Sequence, residues 1–140
     1  MKPDIVIDTC VFVSALRSKR GASHKLLMSV GKGMFDISIS VPLIVEYEAA
    51  AKRLIGEREL TAGDIEDITD YLCAVANCRK VFYLWRPLLK DPTDDMVLEL
   101  AVASGSRFII TFNKKDFSGS EKFGIKVLTP GEFLKKTGGI

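Results

Sequence analysis

The feature that most constrains the fold is a regular alternation of short apolar segments with longer amphipathic ones. The short segments are nearly continuous in apolar residues, which is typical of strands buried on both faces of a parallel sheet. The longer segments carry apolar residues at helical spacing. Strands are predicted at 4–7, 37–41, 81–84, 108–111 and 125–128, and helices at 11–16, 22–30, 42–56, 64–76, 93–104 and from 130 onward. This order predicts a single three-layer α/β/α domain over residues 1–140, built on a central, mostly parallel sheet of about five strands.

Composition excludes several classes of protein. The chain has 140 residues, of which 47% are hydrophobic and 27% charged, so it is not a disordered protein. A net charge of +2 is too small for a protein that coats nucleic acid, although it leaves room for a local basic face. Cys10, Cys73 and Cys78 form no CxxC pair, which argues against a disulfide framework and a structural zinc site. We expect reduced thiols in a cytoplasmic protein without a signal peptide or a membrane span.

Acidic and polar side chains follow the predicted strands at the points where those strands end. Asp8 and Thr9 follow the first strand, and Glu46 lies near the start of the helix after the second. The remaining candidates lie in two segments. Near the start of the helix at 93–104 are Asp91, Asp94 and Asp95, and at or after the end of the strand at 108–111 are Thr111, Asn113 and Asp116. Because the functional cleft of an open parallel sheet lies outside the carboxyl ends of its strands, these residues are predicted to share one edge.

Each acid also has a purely structural interpretation. Asp8 fits the cap position of the following helix, and Glu46, on the flank of an apolar stripe, fits a buried ion pair. The dipole of the helix at 93–104 accounts for either Asp94 or Asp95. Surface solvation is the expected role of Glu99, and Asp116 fits an ordinary loop.

Taken together, the acids point to a bound cation. Several carboxylates in one cleft repel one another unless a cation neutralises them. Hard oxygen ligands favour Mg²⁺ or Mn²⁺ over Zn²⁺ or copper. Such a site fits metal-assisted hydrolysis of a phosphodiester, and it requires Asp8, Glu46, Asp116 and one of Asp94 and Asp95 to approach within about 10 Å of one another.

Other catalytic schemes find little support. His24 is the only histidine and lies in an amphipathic segment, so triads and HExxH zinc sites are disfavoured. No glycine-rich phosphate-binding motif occurs. Two basic runs flank the acids and fit either solvated loops or phosphate contacts; they comprise Arg17, Lys19, Arg20, Lys114 and Lys115.

Four segments resemble the PIN domain, the fold of the toxins in VapBC-type toxin–antitoxin pairs. They are IVIDTCVFVSAL, VPLIVEYEAA, DPTDDMVLELAVASGSRFIITFNKKDF and VLTPGEFL. The resemblance implies a parallel sheet and an endoribonuclease that depends on Mg²⁺ or Mn²⁺. It matches the four family acids, in order, to Asp8, Glu46, Asp95 and Asp116. Two positions depart from the pattern: Cys10 stands where Asn is common, and Asn113 where some relatives carry Asp.

The resemblance also assigns roles and partners. Asp8 and Asp95 would bind the metal, and Glu46 and Asp116 would complete the site or orient the water. Thr9, Thr111 and Asn113 would donate hydrogen bonds that support these acids. The implied partners are an RNA substrate, an antitoxin protein and a second copy of the chain in a homodimer.

Two other functions remain open. One is a PIN fold that has lost its catalytic site and serves as an RNA-binding or scaffold module. The other is a phosphatase or phosphotransfer domain with Asp8 as nucleophile, disfavoured because DTCVF lacks a second Asp two residues on.

Overall fold

The computed structural model describes residues 2–57, 60–79 and 92–137. The strands in these ranges are Asp4–Ile7 (β1), Asp36–Ile39 (β2), Asn77–Cys78 (β3), Phe108–Ile110 (β4) and Lys126–Leu128 (β5). The helices are Thr9–Arg17 (α1), Ala22–Ser29 (α2), Val41–Lys52 (α3), Ala62–Val75 (α4), Pro92–Ser104 (α5) and Pro130–Thr137 (α6). Two 3₁₀ turns, Lys114–Phe117 and Ser120–Phe123, connect β4 to β5.

The sheet has five parallel strands in the order β3-β2-β1-β4-β5. The chain builds outward from β1 to β3 and then crosses back to β4 on the other side of β1. Because such crossovers are almost always right-handed, we expect α5 on the face opposite the helices that connect β1 to β3; it packs against β1, β2 and β4. The predicted three-layer α/β/α fold with a parallel sheet is confirmed. The reversal also makes the gap between β1 and β4 the switch point at which ligands bind in open parallel sheets.

The core lies on both faces of the two central strands. Ile5, Val6, Ile109 and Ile110 are almost wholly inaccessible to solvent. This burial explains why the strands read as continuous apolar runs rather than as alternating ones.

A polar cluster at the amino edge of the sheet fixes the direction of α5. The Asp4 carboxylate, at the start of β1, accepts hydrogen bonds from the Ser38 hydroxyl at 2.8 Å and the Ser106 hydroxyl at 3.3 Å. Ser106 lies two residues after the end of α5, so that end lies at the amino edge. With 13 residues, α5 is about 20 Å long, so its first turn lies at the carboxyl edge.

Several predicted boundaries need correction. The second strand ends at Ile39 rather than at 41, because the Ser40 hydroxyl caps α3 by accepting a hydrogen bond from the Leu43 N–H at 3.3 Å. Helix α3 ends at Lys52 instead of continuing to 56. Strand β3 was not predicted, and the strand predicted at 81–84 lies outside the described residues, as does Asp91. Among the described helices, none combines the length and the apolar character needed to span a membrane.

Candidate functional site

Asp8 occupies the end of β1 at the switch point and is the best-defined acid of the candidate site. Its side chain is 5% exposed. Oδ2 accepts a hydrogen bond from the Thr111 hydroxyl at 2.7 Å, and Oδ1 accepts one from the Thr9 backbone N–H at 2.8 Å. Asp8 is therefore the cap of α1, as one interpretation predicted, and it is also joined directly to the end of β4.

Thr111 holds this arrangement from the β4 side. It is completely buried, and its hydroxyl accepts a hydrogen bond from the Asn113 backbone N–H at 3.0 Å while donating to Asp8. Thr111 therefore donates directly to Asp8, and Asn113 supports Thr111 through its backbone N–H.

Cys10 replaces the expected amide beside Asp8 with a thiol. Its sulfur lies 3.5 Å from Asp8 Oδ2 and 3.6 Å from Thr111 Oγ1. Burial raises the pKa of the Cys10 thiol, and the negative charge of Asp8 raises it further. The thiol consequently stays protonated and donates weakly to the carboxylate.

Tyr47 joins α3 to the same end of β1. It is buried, its hydroxyl donates a hydrogen bond to the Ile7 carbonyl oxygen, and its ring stacks on Phe12 with centroids 4.5 Å apart. Burial, with a smaller contribution from Asp8, raises the pKa of the Tyr47 phenol well above its usual value. Tyr47 therefore remains a neutral donor, and it fixes the part of α3 that carries the half-buried Glu46.

Helix α5 brings two buried acids rather than one. Asp95, in its first turn, is 8% exposed, and Glu99, four residues later, is 9% exposed. Residues four apart lie on the same helix face, so both acids belong to the face that packs into the molecule. The prediction that Glu99 is a solvated surface residue is wrong, because this helix lies against β1, β2 and β4. The neighbouring Asp94 is only half-buried.

Asp116 differs from the other candidates in being exposed. It lies in the first 3₁₀ turn, which contacts α5. This turn follows β4 and therefore starts from the carboxyl edge, where the first turn of α5 also lies.

Two of the basic candidates are paired with acids. The Lys114 ammonium lies 2.5 Å from a Glu132 carboxylate oxygen at the start of α6, and this hydrogen bond lowers the pKa of Glu132. Arg17 lies 4.0 Å from Glu57. The remaining candidates, Lys19, Arg20 and Lys115, are exposed.

The residues around Asp8 fit a hard divalent cation in two respects. No Lys or Arg of the described ranges forms an ion pair with its carboxylate, and a buried charge without a counterion is costly. The buried Thr9 hydroxyl also has no hydrogen-bond partner there. In the described part of the chain, however, no three His, Cys, Asp or Glu side chains come together as a group able to hold a metal ion. The close approach of the four acids stays a prediction.

Sequence reasoning missed two residues of this region. Glu99 lies four residues after Asp95 and therefore on the same face of α5, but the sequence does not show that this face is buried. Tyr47 was expected only in the apolar stripe of α3, and nothing in the sequence signals that its hydroxyl reaches the strand that carries Asp8.

A family model described as "PIN domain" matches residues 4–115, about four-fifths of the chain. The match includes Asp8, Glu46 and Asp95 and ends one residue before Asp116. A search of curated proteins finds no match.

Proposed function

Because the chain belongs to the PIN domain family, whose members are generally nucleases, we propose that it is an endoribonuclease dependent on Mg²⁺ or Mn²⁺. The observation that carries the proposal is the Asp8 carboxylate. It is buried at the switch point, held by Thr9 and Thr111, and has no cationic partner in the described residues. A nuclease metal would supply the missing positive charge.

In this proposal Asp8 and Asp95 hold the metal through carboxylate oxygens. The bound ion would act as a Lewis acid that activates water and neutralises charge on the leaving oxygen. Glu46 and Asp116 would complete the site or orient the attacking water, and one of the two would accept its proton. The donors at Thr9, Thr111 and Asn113 keep the Asp8 carboxylate in a fixed orientation, which lowers the reorganisation that the reaction requires.

The test compares acids that share a helix turn. Asp8→Asn and Asp95→Asn are expected to abolish cleavage of a fluorescent single-stranded RNA and to weaken Mn²⁺ binding measured by calorimetry. Asp94→Asn is the matched control, since it removes the same charge from the same end of α5 but from a more exposed position. Equal loss of Mn²⁺ binding in Asp94→Asn and Asp95→Asn would contradict the assignment of Asp95 as a metal ligand.

A second candidate is a PIN fold that binds RNA or a protein without cleaving. It is favoured by the lack of a group of three metal ligands in the described ranges. Mn²⁺ titration separates the two functions: the nuclease binds Mn²⁺ through Asp8 and Asp95, whereas binding to RNA that is indifferent to Mn²⁺ supports the non-catalytic module. Turnover of a phosphate monoester that Asp8→Asn abolishes would instead support a phosphatase.

We further propose that the nuclease is the toxin of a toxin–antitoxin pair, acts in the cytoplasm and forms a homodimer. The resemblance to VapC-type toxins supports this role. Induced expression is expected to arrest the growth of a bacterial host, and expression of Asp8→Asn is not. Growth arrest relieved by the product of a small adjacent reading frame would identify the antitoxin, and sedimentation would give the oligomeric state.

A further inference from the structure

Phe112 is an exposed aromatic side chain that directly follows Thr111 of the candidate site. Its side chain is 49% exposed, whereas the residue before it, Thr111, is completely buried. A single exposed apolar residue is common on protein surfaces. The position of Phe112 is what distinguishes it, because it directly follows the residue that donates to Asp8.

The backbone on both sides of Phe112 is fixed by this site. Thr111 is tied to Asp8, and the Asn113 N–H is tied to the Thr111 hydroxyl at 3.0 Å. The Phe112 backbone N–H interacts with the Cys10 thiol. The ring is therefore presented from a rigid turn, which reduces the conformational entropy that a ligand would have to remove on binding.

Cations follow the exposed ring in the sequence. Lys114 and Lys115 lie two and three residues later and are exposed, and Lys115 forms no ion pair within the described ranges. An aromatic face beside cations is the arrangement with which proteins bind single-stranded nucleic acid, the bases stacking on the ring and the phosphates contacting the cations. A duplex keeps its bases stacked inside the helix, so it cannot use such a ring.

We propose that Phe112 is a stacking platform for one unpaired nucleobase next to the phosphate at Asp8. This inference rests on the proposed ribonuclease function and deepens it, since it makes the substrate single-stranded at that nucleotide. The selectivity for unpaired RNA then comes from the Phe112 side chain, just after the end of β4, and not from the metal site.

The first experiment measures binding of a short fluorescent single-stranded RNA to the inactive Asp8→Asn protein. Phe112→Ala is expected to weaken binding by about 5- to 100-fold, and Phe112→Trp to retain it with quenching of the new tryptophan. Phe123→Ala is the matched control, because Phe123 is 44% exposed and lies three residues before the start of β5. Similar weakening by Phe112→Ala and Phe123→Ala would overturn the proposal.

The second experiment removes the base instead of the ring. Single abasic sites are placed along the RNA, and one position is expected to reproduce the loss caused by Phe112→Ala. At that position the two losses are not additive, because each removes the same contact. Losses that add at every position, or equal effects of Phe112→Ala on duplex and single-stranded RNA, contradict the stacking role. No binding of any RNA by the unsubstituted protein overturns the proposed function itself.

Discussion

The Asp8 carboxylate combines a structural and a chemical role in one residue. It caps α1 through the Thr9 N–H, as a cap residue does in any helix. A neutral Asn would serve that purpose equally well. A cation bound at the site would offset the cost of burying this carboxylate, because burial penalises an unpaired charge.

Asp8→Asn is therefore expected to raise the melting temperature of the metal-free protein. It removes the buried charge, and the amide oxygen still caps Thr9. We expect a gain of about 1 kcal/mol, or roughly 3–5 °C for a domain of this size, measured by calorimetry in the presence of a chelator. Asp8→Ala is the companion variant; it removes the cap and the acceptor of Thr111, and it is expected to lower the melting temperature. A lower melting temperature for Asp8→Asn as well would mean that the hydrogen bonds of the carboxylate outweigh its burial.

Cys10 reports on the charge of Asp8 without any activity measurement. Burial raises the pKa of the Cys10 thiol, and the charge of Asp8 raises it further. At pH 8 a smaller fraction of Cys10 is therefore thiolate than in an exposed cysteine, and its alkylation is slow. Iodoacetamide is expected to modify Cys10 several times more slowly than the exposed Cys78, as followed by peptide mass spectrometry. Asp8→Asn removes the neighbouring charge and so lowers the pKa of the Cys10 thiol. Alkylation of Cys10 is then expected to be faster, while the alkylation rate of Cys78 is unchanged. An unchanged rate at Cys10 would place the charge of Asp8 away from the thiol.

At the scale of secondary structure, helix α3 is tied to the site by one hydroxyl. Tyr47→Phe keeps the stack on Phe12 but leaves the buried Ile7 carbonyl oxygen without this donor. The expected cost is about 1–3 kcal/mol in the free energy of unfolding, measured by urea denaturation.

Tyr71→Phe is the control for that variant. The Tyr71 hydroxyl donates to the Val30 carbonyl oxygen at 2.7 Å, but Tyr71 is exposed, so water can replace the lost donor. Tyr71→Phe is therefore expected to lower the free energy of unfolding by less than Tyr47→Phe does. Equal losses of unfolding free energy in the two variants would show that the hydrogen bond from Tyr47 to the Ile7 carbonyl oxygen contributes no more than an exposed one.

The order of elements could be predicted from sequence because burial on both faces leaves a clear pattern in this chain. Strand β4 is apolar at every position and β1 at every position after Asp4, and Ser40 and Pro42 mark the start of α3. Strand β3 could not be predicted, since its two residues are exposed and polar or small. It pairs with β2 through its backbone, and backbone pairing has no signature in side chains.

The site was predictable where a residue follows a strand directly. Asp8 and Thr111 come straight after β1 and β4, and the parallel sheet brings those ends together. Glu99 escaped prediction because its burial depends on which face of α5 meets the sheet, and a helix that is apolar nearly all round does not reveal that face.

At the scale of the whole molecule, the parallel sheet places Asp8 and the 3₁₀ turn that carries Lys114 and Lys115 at the same edge, because they follow the ends of the paired strands β1 and β4. The net charge of +2 gives little long-range attraction for RNA, so affinity must come from local contacts. Lys114 is held at this edge by Glu132, whose backbone N–H in turn donates to the Thr129 hydroxyl just after β5.

The double variant Lys114→Ala/Lys115→Ala tests whether RNA lies across this edge. Each phosphate contact steepens the fall of log affinity with log salt by roughly 0.7 for a single strand, so the slope is expected to flatten by up to twice that amount. Binding is measured at several salt concentrations in the inactive Asp95→Asn protein. In the active protein, cleavage at saturating RNA survives, because phosphate contacts position the substrate and transfer no proton.

Lys135→Ala/Lys136→Ala is the matched control for the charge that the first pair removes. It also deletes two positive charges, but at the other end of the sheet, because the Lys136 ammonium lies 5.8 Å from the ring of Phe108 at the start of β4. If RNA follows the carboxyl edge, this variant keeps the original salt slope and the Lys114/Lys115 variant does not. Equal flattening by both pairs would mean that RNA senses only the net charge, and an unchanged slope in both would place its path on another surface.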